Sequence, residues 1–312
     1  MRIFTDEEKT IIDTMYKSGE KIDDIRFYLH CKEGTLRNYL KENGYVKRKR
    51  NTVNGKERLK ASRKHYFNEK YFEEIDTEDK AYWLGFLYAD GNVSYGKDQY
   101  GNKKGCTVEL TLAEQDKNHL YKFLKCLDAD NNSPLKKRIV KLNEKEFISY
   151  RLSLNSVVLG NDLENLGCIP HKSLILRRPN IAKHLIRHFV RGYFDGDGCV
   201  SFNRELGNSI YTILGTKDIL LFIKSESGIS NKISIRPVKR NNEYKQFYEF
   251  SISGIKSKII FHNYIYKDAN IFLDRKFEKS WDIYNYLTKN RMIKFINPES
   301  QTNDSLLLCS NE

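Results

Sequence analysis

The six cysteines, Cys31, Cys106, Cys126, Cys168, Cys199 and Cys309, include no C-x-x-C pair. Neither a disulfide framework nor a zinc knuckle is therefore indicated, and buried or partly buried free thiols are expected. There is no glycine-rich phosphate loop, which argues against an ATP-driven enzyme. No apolar run approaches the length of a membrane span, and the opening MRIFTDEEKT has no apolar signal core. No membrane partner is expected, and the expected location is intracellular, in the cytoplasm of a bacterial or phage-infected host. His184 and His188 stand four apart with no third ligand in sight, and Cys168 with His171 makes a single C-x-x-H, so zinc is not expected there either. Acid is scarce beside base. With 41 Asp and Glu against 54 Lys and Arg in 312 residues, the formal net charge is +13. That balance suits a polyanionic partner, and the length suits two or three domains.

The first 46 residues differ in pattern from the rest. Thr5 with Glu8 makes a capping box, and Ile11, Ile12 and Met15 give the helix behind it an apolar face. Ile22, Ile25 and Leu29 space the buried side of a second helix. A turn through His30 and Cys31 leads to a third, with Leu36, Tyr39 and Leu40 inward and Gly44 ending it. Three short helices with a tight turn before the last match a helix-turn-helix over 1–46, whose final helix would offer Lys32, Thr35, Arg37, Asn38 and Lys41 to phosphates or base edges. Between Lys47 and Lys64 stand nine Lys or Arg and one acid, Glu57. The stretch 47–76 reads as a basic linker along a nucleic-acid backbone, beginning with Lys47, Arg48, Lys49 and Arg50.

The most informative feature is a duplication. WLGFLYADG (Trp83 to Gly91) and VRGYFDGDG (Val190 to Gly198) each carry small residues four apart, Gly85 with Ala89 and Gly192 with Gly196. Such a bare stripe lets two helix backbones approach closely. Packed together, the helices bring Asp90 and Asp197 to one end, with Gly91 and Gly198 expected in left-handed conformation as the stops. A helix C-terminus is already partly negative, so two carboxylates there call for a compensating cation, and a divalent metal with oxygen ligands suits them. The surroundings repeat as well. Leu110 to Leu124 parallels Thr212 to Ile223, YRLSL from Tyr150 parallels YEFSI from Tyr248, and LGCIPHKS stands where IFLDRKFEK stands later. A repeat of about a hundred residues is the size of a pseudo-two-fold dimer fused in one chain.

The two segments resemble the LAGLIDADG motif of homing endonucleases and their maturase relatives, in the single-chain form with two motifs. The resemblance covers roughly 77–287. It implies an α+β fold of two αββαββα halves, 77–179 and 180–290, with paired central helices and saddle-shaped antiparallel sheets lying on double-stranded DNA. It also implies a monomer that cuts both strands at a long site, the activity behind intron or intein mobility, with Asp90 and Asp197 as catalytic residues binding Mg²⁺ or Mn²⁺. By the same resemblance, Lys172 and Lys276 follow the last strand of each half and serve phosphate or water activation. Gln115 and Thr216, in the strand-to-helix turns, stand where metal-bound water would be held. The sixth motif position departs from equality, being Tyr88 in the first copy and Asp195 in the second. Two other readings stand beside the endonuclease: a maturase-like splicing cofactor binding intron RNA, and a DNA-binding regulator without chemistry.

Alternation supplies the strands: Val108, Leu110 and Leu112 against Thr107, Glu109 and Thr111; Leu152 and Leu154 against Arg151 and Ser153; Phe250 and Ile252 against Glu249 and Ser251. One face is apolar and the other polar, so the polar face can follow a groove. Lys136, Lys137, Arg138, Lys141, Arg151, Arg236, Lys239, Arg240 and Lys245 are placed to line it, with a loop over 95–105 as a further contact. The tail 291–312 is expected to be disordered.

Overall fold

In the computed structural model, the described residues are 3–18, 20–45, 65–101, 103–129, 135–142, 145–205, 207–229, 235–240 and 243–290. The basic run 47–64 and the tail 291–312 lie outside them. The chain divides into two compact units, 1–64 and 65–312.

The smaller unit holds three helices, α1 (Asp6–Ser18), α2 (Ile22–Tyr28) and α3 (Glu33–Glu42). The capping box is formed as expected: the Thr5 amide donates to Glu8 Oε2 at 2.9 Å and the Glu8 amide to Thr5 Oγ1 at 3.2 Å. Ile12, Ile25, Leu29, Leu36 and Leu40 close over Phe4 as the core. His30, left-handed at φ 46°, turns the chain between α2 and α3.

The larger unit begins earlier than its motifs do. Phe67, Tyr71 and Phe72 are buried in its core, so the linker expected to run to residue 76 gives way to folded chain at His65. These aromatics lie in a run of turns and bends without helix or strand, so no regular element marks them in the sequence. The unit then runs twice through one plan. The first pass is α4 (Glu78–Asp90), β1 (Gly91–Lys97), β2 (Lys103–Ala113), α5 (Lys117–Cys126), β3 (Lys136–Leu142), β4 (Lys145–Asn155) and α6 (Val157–Asn165). The second is α7 (Ile186–Asp197), β5 (Gly198–Asn203), β6 (Asn208–Gly215), α8 (Lys217–Glu226), β7 (Ile235–Arg240), β8 (Glu243–Ile252) and α9 (Ile255–Tyr266), followed by α10 (Asp274–Asn290).

Each pass builds a four-stranded antiparallel sheet, ordered β1-β2-β4-β3 and β5-β6-β8-β7. The alternation is realised: Val108, Leu110, Leu112, Leu152, Leu154, Phe250 and Ile252 are all buried. The stretch 95–105 is mostly ladder, because Lys97 pairs with Lys103 and closes a hairpin. At the centre α4 is buried from Ala81 through Tyr88, the mark of a helix packed on every side.

Candidate active site

The small-residue stripe does what the spacing demands. A Cβ on Gly85 would lie 2.0 Å from the Phe189 carbonyl oxygen, and one on Gly192 would lie 1.9 Å from that of Tyr82. The contacts are reciprocal, for Gly85 also faces the backbone of Tyr193 and Gly192 that of Phe86. This is the signature of a pseudo-two-fold axis between α4 and α7. Farther along, a Cβ on Gly196 would meet Ala89 at 2.3 Å and Asp90 Oδ2 at 3.5 Å. The first carboxylate therefore lies against the second motif. Gly91 and Gly198 correct one expectation: both are extended (φ −73° and −86°), not left-handed. Glycine is required there for room, since a Cβ would strike the carbonyl of Leu87 or Phe194 at 2.6 or 2.3 Å. The chain passes straight from helix into the first strand of each sheet, which puts Asp90 and Asp197 at the top of the sheets.

The electrostatics follow from that placement. Burial raises the Asp197 carboxyl to about 6, and the charge of Asp90 adds to the effect. Asp90 is also raised, first by the protein around it even though its side chain reaches solvent, while Lys276 and Lys172 pull it back. A pair of oxygen donors held in their costly charged form is a fitting site for Mg²⁺, which binds through one or two carboxylates and keeps waters and substrate phosphates as its other ligands. Among the described residues no group of three or more His, Cys, Asp or Glu gathers as a metal cage. His188 is instead 3.1 Å from Arg191 and 3.3 Å from Glu78, with burial the main cause that takes it down to about 4.

Lys172 and Lys276 are both buried and both hold the ends of the motif helices. The Lys276 ammonium donates to the carbonyls of Phe194, Asp195 and Gly196 at 3.0, 2.6 and 2.9 Å, and that of Lys172 donates to Gly91. They occupy the orphan carbonyls of a helix C-terminus and place positive charge beneath the two aspartates. Asp195, the departure at the sixth motif position, is fully enclosed. It accepts from Tyr82 and Tyr266 hydroxyls at 2.9 and 2.6 Å and from the Leu273 amide at 2.8 Å, so it pins the start of α10, the helix that carries Lys276. Thr216 caps α8 and donates to the Leu176 carbonyl at 2.6 Å, while Gln115 is exposed.

Sequence reasoning missed one pair beside this centre. Arg275 meets Asp116 with two hydrogen bonds, 3.0 and 2.8 Å, and both residues act on the Asp90 carboxyl. Arg275 belongs to the second half and Asp116 to the first. The only signal was the adjacency of Arg275 to Lys276; the partner, in a turn far back in the chain, has no local mark.

The candidate nucleic-acid residues divide by face. Lys136 pairs with Arg151 and Arg138 with Ser149, so these lie on the polar face of the first sheet, where Arg151 is bonded to Glu109 at 3.0 Å. Lys141 lies on the opposite face with Glu146, 3.0 Å away, and Lys137 shares that face. In the second sheet the register sets Arg236 opposite Glu249, Lys239 opposite Tyr244 and Arg240 opposite Glu243, with Lys245 on β8. On α3 and its N-cap, Lys32, Arg37, Asn38 and Lys41 are exposed and Thr35 half-buried; Arg37 is ion-paired to Glu33 at 2.6 Å. Lys47 to Arg50 lie outside the described residues.

No family model matches the chain, and no curated protein matches it. Among solved structures it is similar to the meganuclease I-SmaMI bound to uncleavable DNA, with TM-score 0.43, 11% identity, and 73% of this chain and 99% of that one covered. It is also similar to a mesophilic variant of the homing endonuclease I-DmoI, with TM-score 0.40, 20% identity and coverage of 61% and 96%. A third is the LAGLIDADG homing endonuclease I-LtrWI bound to target DNA, with TM-score 0.40, 14% identity and coverage of 76% and 99%. A likeness at that level fixes neither activity nor target.

Proposed function

We propose that the protein is a divalent-metal-dependent DNA endonuclease of the LAGLIDADG homing type, acting as a monomer on a long duplex site. One observation carries the reading: a duplicated helix pair, packed backbone to backbone, ends in Asp90 and Asp197 above two sheets of the same strand order.

In this reading Asp90 and Asp197 hold Mg²⁺ or Mn²⁺, each serving mainly one strand. The bound cation supplies charge neutralisation at the phosphate and an acidified water. Hydrolysis forms a bond from a water oxygen to phosphorus and breaks one phosphorus–oxygen ester bond, with a proton passing to the leaving oxygen. Lys172 and Lys276 keep the helix ends and hence the two carboxylates in register, and their positive charge offsets the mutual repulsion of the aspartates. The polar sheet faces and the smaller unit, with Lys32 at the N-cap of α3 and Thr35, Asn38 and Lys41 on it, supply DNA contacts, and the basic run 47–64 supplies salt-sensitive affinity.

The deciding experiment is Mg²⁺-dependent cleavage of a randomised duplex library, comparing the protein with an Asp90→Asn, Asp197→Asn double variant. Cuts at one long site that vanish in the variant are expected. Selective binding with no cutting by either protein refutes the nuclease. Tighter binding to structured intron RNA than to any duplex would move the reading to a splicing cofactor.

A further inference from the structure

On the polar face of the first sheet, one rung of the β3–β4 ladder has the wrong chemistry for its place. Successive same-face rungs are Lys136 with Arg151, Arg138 with Ser149, and Val140 with Phe147. The first two are cationic or polar. The third is apolar, and its members are 52% and 54% exposed. Residues opposite one another on neighbouring strands lie about 5 Å apart at Cβ, so the two side chains make one apolar spot. Ile139 and Ile148, the rung between, face the other way. An exposed apolar pair on a strand invites unwanted pairing and needs a cover.

We propose that Val140 and Phe147 form a reader of thymine methyl groups in the major groove of one half-site. The inference rests on the duplex-DNA reading above. Charge complementarity selects the cover: Lys136 and Arg138 precede the apolar rung on the same face, so a polyanion is drawn along this ladder and its base edges are brought to the spot. A two-stranded ribbon fits the major groove, and the C5 methyl of thymine is the apolar group displayed there. The rung lies five residues along β4 from Leu152, which pairs through Leu110 with Gly91 at the catalytic end. At about 3.4 Å per residue that is ~17 Å, so the thymines read lie outside the central base pairs. The reader is placed on the first half. Counted along the chain from Phe250, the counterpart of Leu152, the residue five back is Lys245, so the second half does not repeat the aromatic.

The test uses the full chain and duplexes selected by it from a randomised library. In the best selected duplex, the thymines of each half-site are replaced by deoxyuridine, which removes the methyl alone. Binding is measured for the parent and for a Val140→Ser, Phe147→Ser variant, whose exposed positions leave the fold intact by circular dichroism. Thymines enriched in one half-site are expected, with the parent losing about three- to fourfold in affinity per methyl removed there and the variant losing nothing. The variant should keep the parent's salt dependence, whereas Lys136→Ala with Arg138→Ala should flatten the slope by about 0.9 per lost phosphate contact. A selected duplex bound equally with and without its methyl groups overturns the inference and leaves the duplex reading standing. So does a concentration-dependent dimer of the parent abolished in the variant, which would give the spot to a second copy. Failure to select any duplex removes both.

Discussion

Replacing Gly85 by Ala tests the architecture of the centre most directly. In an exposed helix the change is favourable by about 1 kcal/mol, because alanine is the better helix former. Here the new Cβ falls 2.0 Å from the Phe189 carbonyl oxygen and 2.9 Å from two further backbone atoms, where ordinary contact begins at 3.4 Å. No side chain is free to swing aside, so α4 and α7 must part by more than about 1 Å along a seam that Gly192 and Gly196 share. Overpacking costs ~1–3 kcal/mol when side chains take up the strain, and a backbone clash belongs at the top of that range or above it. The net effect should be a loss of about 2 kcal/mol or more, read as a urea midpoint lowered by roughly 1 M at an m-value of ~2 kcal/mol/M. Gly34→Ala, with nothing within 4 Å of the new carbon, is the control and should be neutral or stabilising. Because Asp90 moves with the end of α4, any metal-induced rise in Tm should shrink too. A Gly85→Ala protein as stable as its parent would refute the close packing and with it the geometry that joins the two aspartates.

Three further outcomes concern a carboxyl, an ion pair and a helix cap. Since the folded protein raises the Asp197 carboxyl to about 6 from 3.8, it binds more protons than the unfolded chain across that window. Metal-free stability should therefore fall as pH rises from about 4 to 6, while stabilisation by Mg²⁺ should be negligible at pH 5 and grow through pH 6; a Tm increment independent of pH, or unchanged in Asp197→Asn, contradicts the assignment. Arg191→Met leaves the carbonyls of Ile265 and Ile271 and the Glu78 carboxylate without the guanidinium they now share, which should cost roughly 3–5 kcal/mol in a denaturant titration. Thr5→Ala removes one side of the capping box, and hydrogen exchange of the first α1 amides should quicken about fivefold, the equivalent of ~1 kcal/mol.

What the sequence disclosed and what it hid differ by range. The paired glycines, the strand alternation around Leu110 and Leu152, and the Thr5 capping box are local patterns, and each is realised in the fold. Gly91 and Gly198 are extended, against the left-handed expectation, because a steric demand and a left-handed backbone leave the same residue in the sequence. Asp195 looks in the chain like another member of the acidic set, and only its enclosure by Tyr82, Tyr266 and the Leu273 amide shows it to be a fastening. Arg275 with Asp116 and Arg191 with Glu78 join residues more than a hundred positions apart, and no periodicity encodes such a pairing. The cations split between the sheet faces only once register was known, since Lys137 and Lys141 are as basic as Lys136 and Arg138.

The ion pair between Arg191 and Glu78 also bears on how a fused duplicate stays faithful to itself. Arg191 is anchored in its own half by the carbonyls of Ile265 and Ile271, and only its remaining nitrogen reaches across to Glu78. By the spacing of the two motifs, the counterparts of these residues are Leu84 and Leu185. Two second halves brought together would thus bury a pair of guanidinium groups against leucine, a mismatch of several kcal/mol. The charge therefore works as a key that fits one lock. It favours the pairing of each half with the unlike half over pairing with a like one.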